Sequence, residues 1–499
     1  MVSSKLPDTL ASANRIDRQQ RREAFWRGRK KHFFLVVCVL AFLLQMLFLS
    51  CMSYLYGSIY KMGSKFHNFK VLHVDYDGGV ISQSLDHAYS RLEGAAFPTF
   101  VQQPKEMYPT MDHVIDAIKD SKYWAAFVVS PNASNLLAAA LQGGTGDQPY
   151  NPDTALQYVW NEVKYPPFSD QVFEANFERL TAATRLAYNA LNGSAALSLL
   201  NKENPASLQV LLNPIGSSGT NIMTTIQPTK LFYNTVSFVM PILQQFFFLL
   251  VLNGISNELQ LYSSLPLKIS GLLRIGLGIT YAFLGSLGMA GYIFAFDETW
   301  NVTGHQFAQT WMVLWLLMHS HFVIIDSFTA VLPLPALPFF LLIWIILNIT
   351  SSISPFEVNP GFYKWGICLP THQAYSLLLD IWSFGKVPKL SPSLPVLFAW
   401  WIVGCISCFV THLYRCHKAF KLDVKLKEAT RELRTSMETT HTATDDDVLM
   451  EIMSQDRDAY KPSIPLLIGR ILPSPTPDRI DRPSPDPYAW TRFSLRGFE

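Results

Sequence analysis

Residues 33–57 read FFLVVCVLAFLLQMLFLSCMSYLYG, an apolar run with no Asp, Glu, Lys or Arg. A helix rises about 1.5 Å per residue and the hydrocarbon core of a bilayer is about 30 Å thick, so about 20 such residues cross it. The run predicts a membrane span. It is far longer than the apolar core of a cleaved signal peptide and follows a long basic segment, which makes it a signal anchor. Five further uncharged stretches pass the same test: residues 231–257 (with FVMPILQQFFFLLVLNGI), 275–296, 299–325 (WMVLWLLMHSHFVII), 327–356 (FFLLIWIILNI) and 390–414 (LPVLFAWWIVGCISCFV). The expected fold is an α-helical polytopic membrane protein with six spans, one plus five, around an inserted exofacial α/β domain. Residues 365–379 are uncharged but too short to cross, and Pro370 interrupts them, so they read as an interfacial or re-entrant piece.

Composition agrees. Of 499 residues 49% are AVILMFWYC and 16% are charged, against about 25% charged in ordinary soluble domains. That excludes a disordered or nucleic-acid-coating chain and argues against a plain soluble enzyme. Lys and Arg number 40 against 38 Asp and Glu, so position matters more than net charge. Lys5, Arg15, Arg18, Arg21, Arg22, Arg27, Arg29, Lys30 and Lys31 precede the first span, and Arg415, Lys418, Lys421, Lys425, Lys427, Arg431 and Arg434 follow the last. The positive-inside bias puts both termini in the cytosol of a plasma-membrane protein, with the Asp297–Trp300 loop outside. The expected segments are a basic cytosolic stretch 1–32, a first span 33–56, an exofacial domain 57–230 and a five-helix domain 231–414 carrying an exofacial element 354–393. A basic, then disordered, tail 415–499 completes the chain.

Within 57–230 strands alternate with helices. KVLHVDYDG reads as a strand and turn, 81–92 as a helix, 99–102 as a weak strand, 111–120 as a helix and 124–129 as the strongest strand. A helix capped by the Pro131-Asn132 turn, a strand at 155–163 and a helix from 169 to 191, ended by Asn192-Gly193, follow. Alternation of this kind predicts a partly parallel sheet. Only Cys368 is expected outside, so no disulfide staples this domain. Asn132-Ala-Ser and Asn192-Gly-Ser are glycosylation acceptors on the outer side; Asn301-Val-Thr and Asn348-Ile-Thr lie nearer the membrane.

Ionisable groups in spans are costly and are therefore candidates for function. His319 and Asp326 lie two helical turns apart on one face while His321 points away, and Asp326 sits near the cytosolic end where its burial is slight. They line a proton or substrate path, or are simply satisfied within the bundle. Gln244, Gln245, Asn253 and Asn348 are read as amides that cross-link helices, and Gly278, Ala282, Gly285, Gly288 and Gly291 as a stripe for close helix contact. Cys405 and Cys408 read as packing residues, not as a metal or redox pair. No phosphate-binding loop, nucleophile elbow, metalloprotease pair or dinucleotide fingerprint occurs, so no catalytic residue, metal or cofactor is expected, and any uphill transport needs an ion gradient or a partner. Past residue 435 the chain turns polar and Pro-rich; Ser474, Thr476 and Ser484 each precede proline, and the bases at 415–434 suit anionic inner-leaflet lipid.

NITSSISPFEVNPGFYKWGICLPTHQAYSLLLDIWSFGK, residues 348–386, resembles the most recognisable stretch of the fungal nitrosoguanidine-resistance (Sng-type) proteins, the group carrying domain of unknown function 3533. Pro355, Phe356, Glu357, Pro360, Phe362, Tyr363, Trp365, Gly366 and Pro370 are in place. HVDYDGG at 73–79 resembles the start of that family's outer domain, and the one-plus-five arrangement is similar to the membrane half of type-two ABC exporters. The resemblance covers about residues 33–415. It implies resistance to or export of toxic small molecules, directly or through lipid distribution, with membrane lipids and amphipathic compounds as partners and no catalytic residues. A non-transporting scaffold for a partner transporter, and an intramembrane enzyme using His319 and Asp326, are the competing readings.

Overall fold

A computed structural model describes residues 30–144, 149–224, 232–296, 302–383, 385 and 390–439. The basic stretch before residue 30, the Asp297–Trp300 loop, Asn301 and the Pro-rich tail lie outside them. The chain begins with helix α1 (Lys30–Ser58), whose apolar side chains from Phe33 to Leu49 are largely exposed on the molecular surface. An α/β domain follows: β1 (Lys70–Asp75), α2 (Val80–Leu92), β2 (Thr99–Gln103), α3 (Met111–Lys119), β3 (Ala125–Val129), α4 (Ala133–Leu141), β4 (Leu156–Trp160), α5 (Ala175–Leu199), α6 (Pro205–Leu212) and β5 (Ser217–Asn221). The sheet order is β2-β1-β3-β4-β5, with β3 and β4 antiparallel and the other pairs parallel.

Side chains alternate across a strand, and here both faces are covered. Val71, Ala125, Phe127, Leu156 and Tyr158 point into one core with residues of α2, α4 and α5, whereas Leu72, Val74, Ala126, Val128 and Val159 meet Val114, Ala117 and Ile118 of α3 on the other face. The expected strands and helices are found, with three differences. α5 runs through Asn192-Gly193 to Leu199 because Ala196, 2% exposed, packs into the core; tertiary burial outweighs the local breakers. Asn132 does not cap α4. It lies in the left-handed region at φ 60 and its side chain makes no capping bond, its Oδ1 accepting instead from Asn135 Nδ2 at 2.7 Å; Asp77 reaches across, its Oδ1 accepting from Ser134 N at 2.8 Å. β5, reading SSGTN, has no apolar residue to announce it.

The helical half holds α7 (Val236–Glu258), α8 (Leu267–Ala295), α9 (Gly304–Val331), α10 (Leu337–Thr350), α11 (Pro370–Trp382) and α12 (Leu390–Thr439). Among the described residues five helices, α1, α7, α8, α9 and α12, are long and apolar enough to cross a membrane. Two boundaries correct the sequence reading. α8 starts at Leu267 after Pro266, not at residue 275, so Arg274 lies inside it. α9 continues through Asp326 and Ser327 to Val331, where Pro333 stops the next turn. The stretch read as span 327–356 therefore contributes only the 14 residues of α10. Both differences have one cause: Arg274 and Asp326 do not mark the edges of spans, because they neutralise one another inside the bundle. Pro370 does interrupt 365–379: a 3-10 turn (Gly361–Cys368) precedes it and Pro370 opens α11, where its missing N–H costs nothing.

Val163 and Tyr165 of the α/β domain share a core with Tyr233, Phe238, Ala290, Ile293 and α11. This fixes which end of the bundle the domain covers. Arg274 is sixteen residues from Ala290, about 24 Å along α8, and so lies toward the opposite end.

Candidate functional site

At that far end α7, α8, α9 and α12 meet around one carboxylate. Arg274 donates from Nε to Asp326 Oδ2 at 2.8 Å and from Nη2 to Oδ1 at 2.5 Å. Arg415 donates from Nη2 to the same Oδ1 at 2.8 Å, and Cys408 Sγ lies 3.2 Å from Oδ2. Asp326 is 1% exposed and Arg274 4%, so the slight burial expected of Asp326 is overturned. A buried guanidinium, Arg274, and a partly buried one, Arg415, share one buried carboxylate. Such a group is tolerable only when its hydrogen bonds are made. Arg274 accordingly also donates to Tyr262 Oη at 2.6 Å and to Asn253 Oδ1 at 2.6 Å, and both guanidiniums lie within 6 Å of the Tyr262 ring centroid, at 5.9 and 5.5 Å.

Beside this cluster a cavity of about 310 Å³ opens between α7, α8 and the turn Leu261–Ser264. Its walls are mostly Phe248, Val251, Leu252, Ile255, Leu261, Leu273 and Leu277, with Tyr262, Ser270, Ser256 and Arg274 supplying the polar groups. An apolar hollow with a few convergent polar groups is the usual form of a small-molecule site.

His319 is not part of this cluster. Its Nδ1 accepts from Trp401 Nε1 at 2.7 Å and its ring stacks on Phe322, so no shared hydrogen bond joins it to Asp326. His321 Nδ1 accepts from Trp344 Nε1 at 3.2 Å. The amides divide. Asn253 bonds Arg274 and Asn348 Oδ1 accepts from Thr371 of α11, both links between helices, while Asn348 Nδ2 donates to Trp344 O within α10. Gln245 does not: it is fully buried, and neither amide atom has a hydrogen-bond partner among the described residues. Gln244 lies over Gly285. Of the glycine stripe, Gly278 meets Phe322 and Gly285 meets Met318, whereas Gly288 and Gly291 have nothing within 4 Å of a built Cβ. Cys405 and Cys408 are free thiols.

The family model described as protein of unknown function (DUF3533) matches residues 40–406. The chain belongs to the DUF3533 family. No solved structure matches it. In this DUF3533 chain the 355–370 stretch is a coupling element. Val358 is fully buried in the core of the α/β domain, and Glu357 O accepts from Asn68 Nδ2 at 2.8 Å. Tyr363 and Trp365 pack on Tyr54 of α1 at 4.9 and 6.3 Å. Phe356 packs on His372 of α11, Trp400 of α12 donates to Cys368 O at 2.6 Å, and Pro355 is buried while Pro360 opens the 3-10 turn. Burial, then the Glu357 carboxylate, raise the Tyr165 pKa and keep its hydroxyl neutral. The HVDYDGG stretch is likewise structural: Asp75 Oδ1 accepts from Asp77 N, Gly78 N and Ser82 Oγ, and Gly78 needs its φ of +66. Asn132 is exposed and Asn192 half-buried.

Sequence reasoning found Asp326 but missed Arg274, Tyr262 and Arg415. An Arg with apolar neighbours on both sides, LKISGLLRIGLGITYAF, was the available signal.

Proposed function

We propose that this DUF3533 chain is a plasma-membrane protein that protects the cell from toxic amphipathic small molecules, by exporting them or by changing lipid distribution. The observation that carries this reading is the apolar cavity between α7 and α8 with a buried arginine at its polar end. Such a hollow suits a molecule with an apolar body and a polar group. In this reading α10, extended by the Leu334–Ala336 turn, is the sixth crossing, both termini are cytosolic and the α/β domain is outside. The basic residues flanking α1 and α12 support that orientation, and the resemblance to nitrosoguanidine-resistance proteins and type-two exporters supports the activity. Reconstitution of the full chain into vesicles with tracer drug or labelled lipid tests it. Movement of either above protein-free vesicles is the expected result. Absence of flux, together with unchanged drug accumulation and lipid asymmetry in a deletion strain, overturns it; absence of flux with co-purification of an ATP-driven pump replaces it with the scaffold reading.

A further inference from the structure

The geometry points to the α7–α8 cavity as a binding site for a membrane lipid with an anionic headgroup, a refinement that rests on the amphiphile-handling reading above. Charge is the first argument. Arg274 and Arg415 both bond the single carboxylate of Asp326, so these three side chains carry a formal charge of about +1 in an environment where an uncompensated charge is expensive. Donor capacity points the same way. A guanidinium has five N–H groups; Arg274, which lines the cavity, spends four of them on Asp326, Tyr262 and Asn253 and keeps one, while Arg415, behind the cavity wall, has a buried Nη1 with no hydrogen-bond partner among the described residues. The cluster is one anion short.

Access is the second argument. Val251, Ile255, Leu273 and Leu277 line the cavity and are 50, 44, 46 and 40% exposed, so the hollow is open and not enclosed by the bundle. An acyl chain therefore enters sideways from the bilayer and lies along these side chains, while its headgroup reaches Arg274 beside Tyr262 and Ser270. A cationic amphiphile is opposed by the same charge. Free phosphate gains nothing from the apolar walls.

The test uses the full chain in nanodiscs of equimolar phosphatidylcholine and phosphatidic acid, with the lipid retained by the protein counted by native mass spectrometry. Wild type should retain phosphatidic acid in preference to phosphatidylcholine by about tenfold, the worth of one hydrogen bond to a charged group. Leu277→Trp fills the cavity without touching the charge cluster and should abolish retention of both lipids. Arg274→Gln should lose the headgroup preference; if that variant does not fold, Leu277→Trp decides alone. Equal retention of the two lipids by wild type, or undiminished phosphatidic acid on Leu277→Trp, overturns the inference. Displacement of the lipid by inorganic phosphate assigns the site to a free anion and overturns it too. Vesicle flux is read separately: flux without lipid preference removes this inference alone, and lipid preference without flux, with drug accumulation and lipid asymmetry unchanged in a deletion strain, removes the transport reading alone.

Discussion

Asp326 neutralises two cations, and its replacement has a cost that a surface ion pair lacks. Asp326→Asn keeps the shape but leaves Arg274 and Arg415 without a carboxylate; breaking a buried pair in this way costs about 3–5 kcal/mol. We expect this variant to be poorly folded, seen as loss of the monodisperse peak in detergent size-exclusion chromatography. Arg274→Met with Asp326→Leu and Arg415→Met removes all three charges together and should recover most of that peak, because no charge is then stranded. Equal loss in both would show that the carboxylate serves something other than charge balance. At Gly278 the contrast is steric. A Cβ there would lie 2.4 Å from Phe322 Cε1, and at Gly291 it meets nothing within 4 Å. Gly291→Ala should raise stability by about 0.5–1 kcal/mol through helix propensity, whereas Gly278→Ala should lower it by about 1–3 kcal/mol through overpacking. Thermal melting of the purified variants in detergent measures both, and a gain at Gly278 would contradict the packing described.

Among the elements, the 355–370 segment joins the two halves of the molecule. Val358 belongs to the core of the α/β domain although it lies far along the chain, between α10 and α11. Burying a valine is worth about 1.5–3 kcal/mol, and a carboxylate in its place adds a desolvation penalty. Val358→Asp should therefore release this segment, opening a proteolytic site near it in the otherwise folded protein. Glu357→Ala keeps the backbone carbonyl that bonds Asn68 and should leave protease resistance unchanged. Limited proteolysis with mass-spectrometric mapping separates the two. Such couplings explain what the sequence could and could not disclose. β1 and β3 were legible because both their faces are buried, the apolar run being continuous in β3 and broken only by His73 in β1; β5, which satisfies its backbone against β4 with polar side chains, was not. Spans were legible by length, but their ends were not where charge compensation acts between helices remote in sequence. Arg274 and Asp326 are adjacent only in the folded bundle, so the site could not be assembled from local pattern alone.

For the whole molecule the proposal depends on which side of the membrane each part occupies. The α/β domain and the Arg274–Asp326–Arg415 cluster lie toward opposite ends of the bundle, as the sixteen-residue separation on α8 requires. An exofacial domain then places the cluster, and the polar end of the cavity, at the cytosolic side. Cysteines report this directly. Cys368 is exposed in the 3-10 turn near the domain, while Cys408 and Cys416 are buried at the other end. A membrane-impermeant maleimide applied to intact cells should label the chain, and Cys368→Ser should abolish that labelling. Glycans give an independent reading. Asn132 is exposed, but Ser134 of its acceptor triplet is buried and bonded to Asp77, so a glycan there must be added before the domain folds. Asn132→Gln and Asn192→Gln should each increase gel mobility by one glycan, and Asn348→Gln, whose asparagine is fully buried in α10, should not. Labelling that appears only after permeabilisation, with no glycan at Asn132 or Asn192, would invert the molecule and move the cavity's cationic end to the outer leaflet.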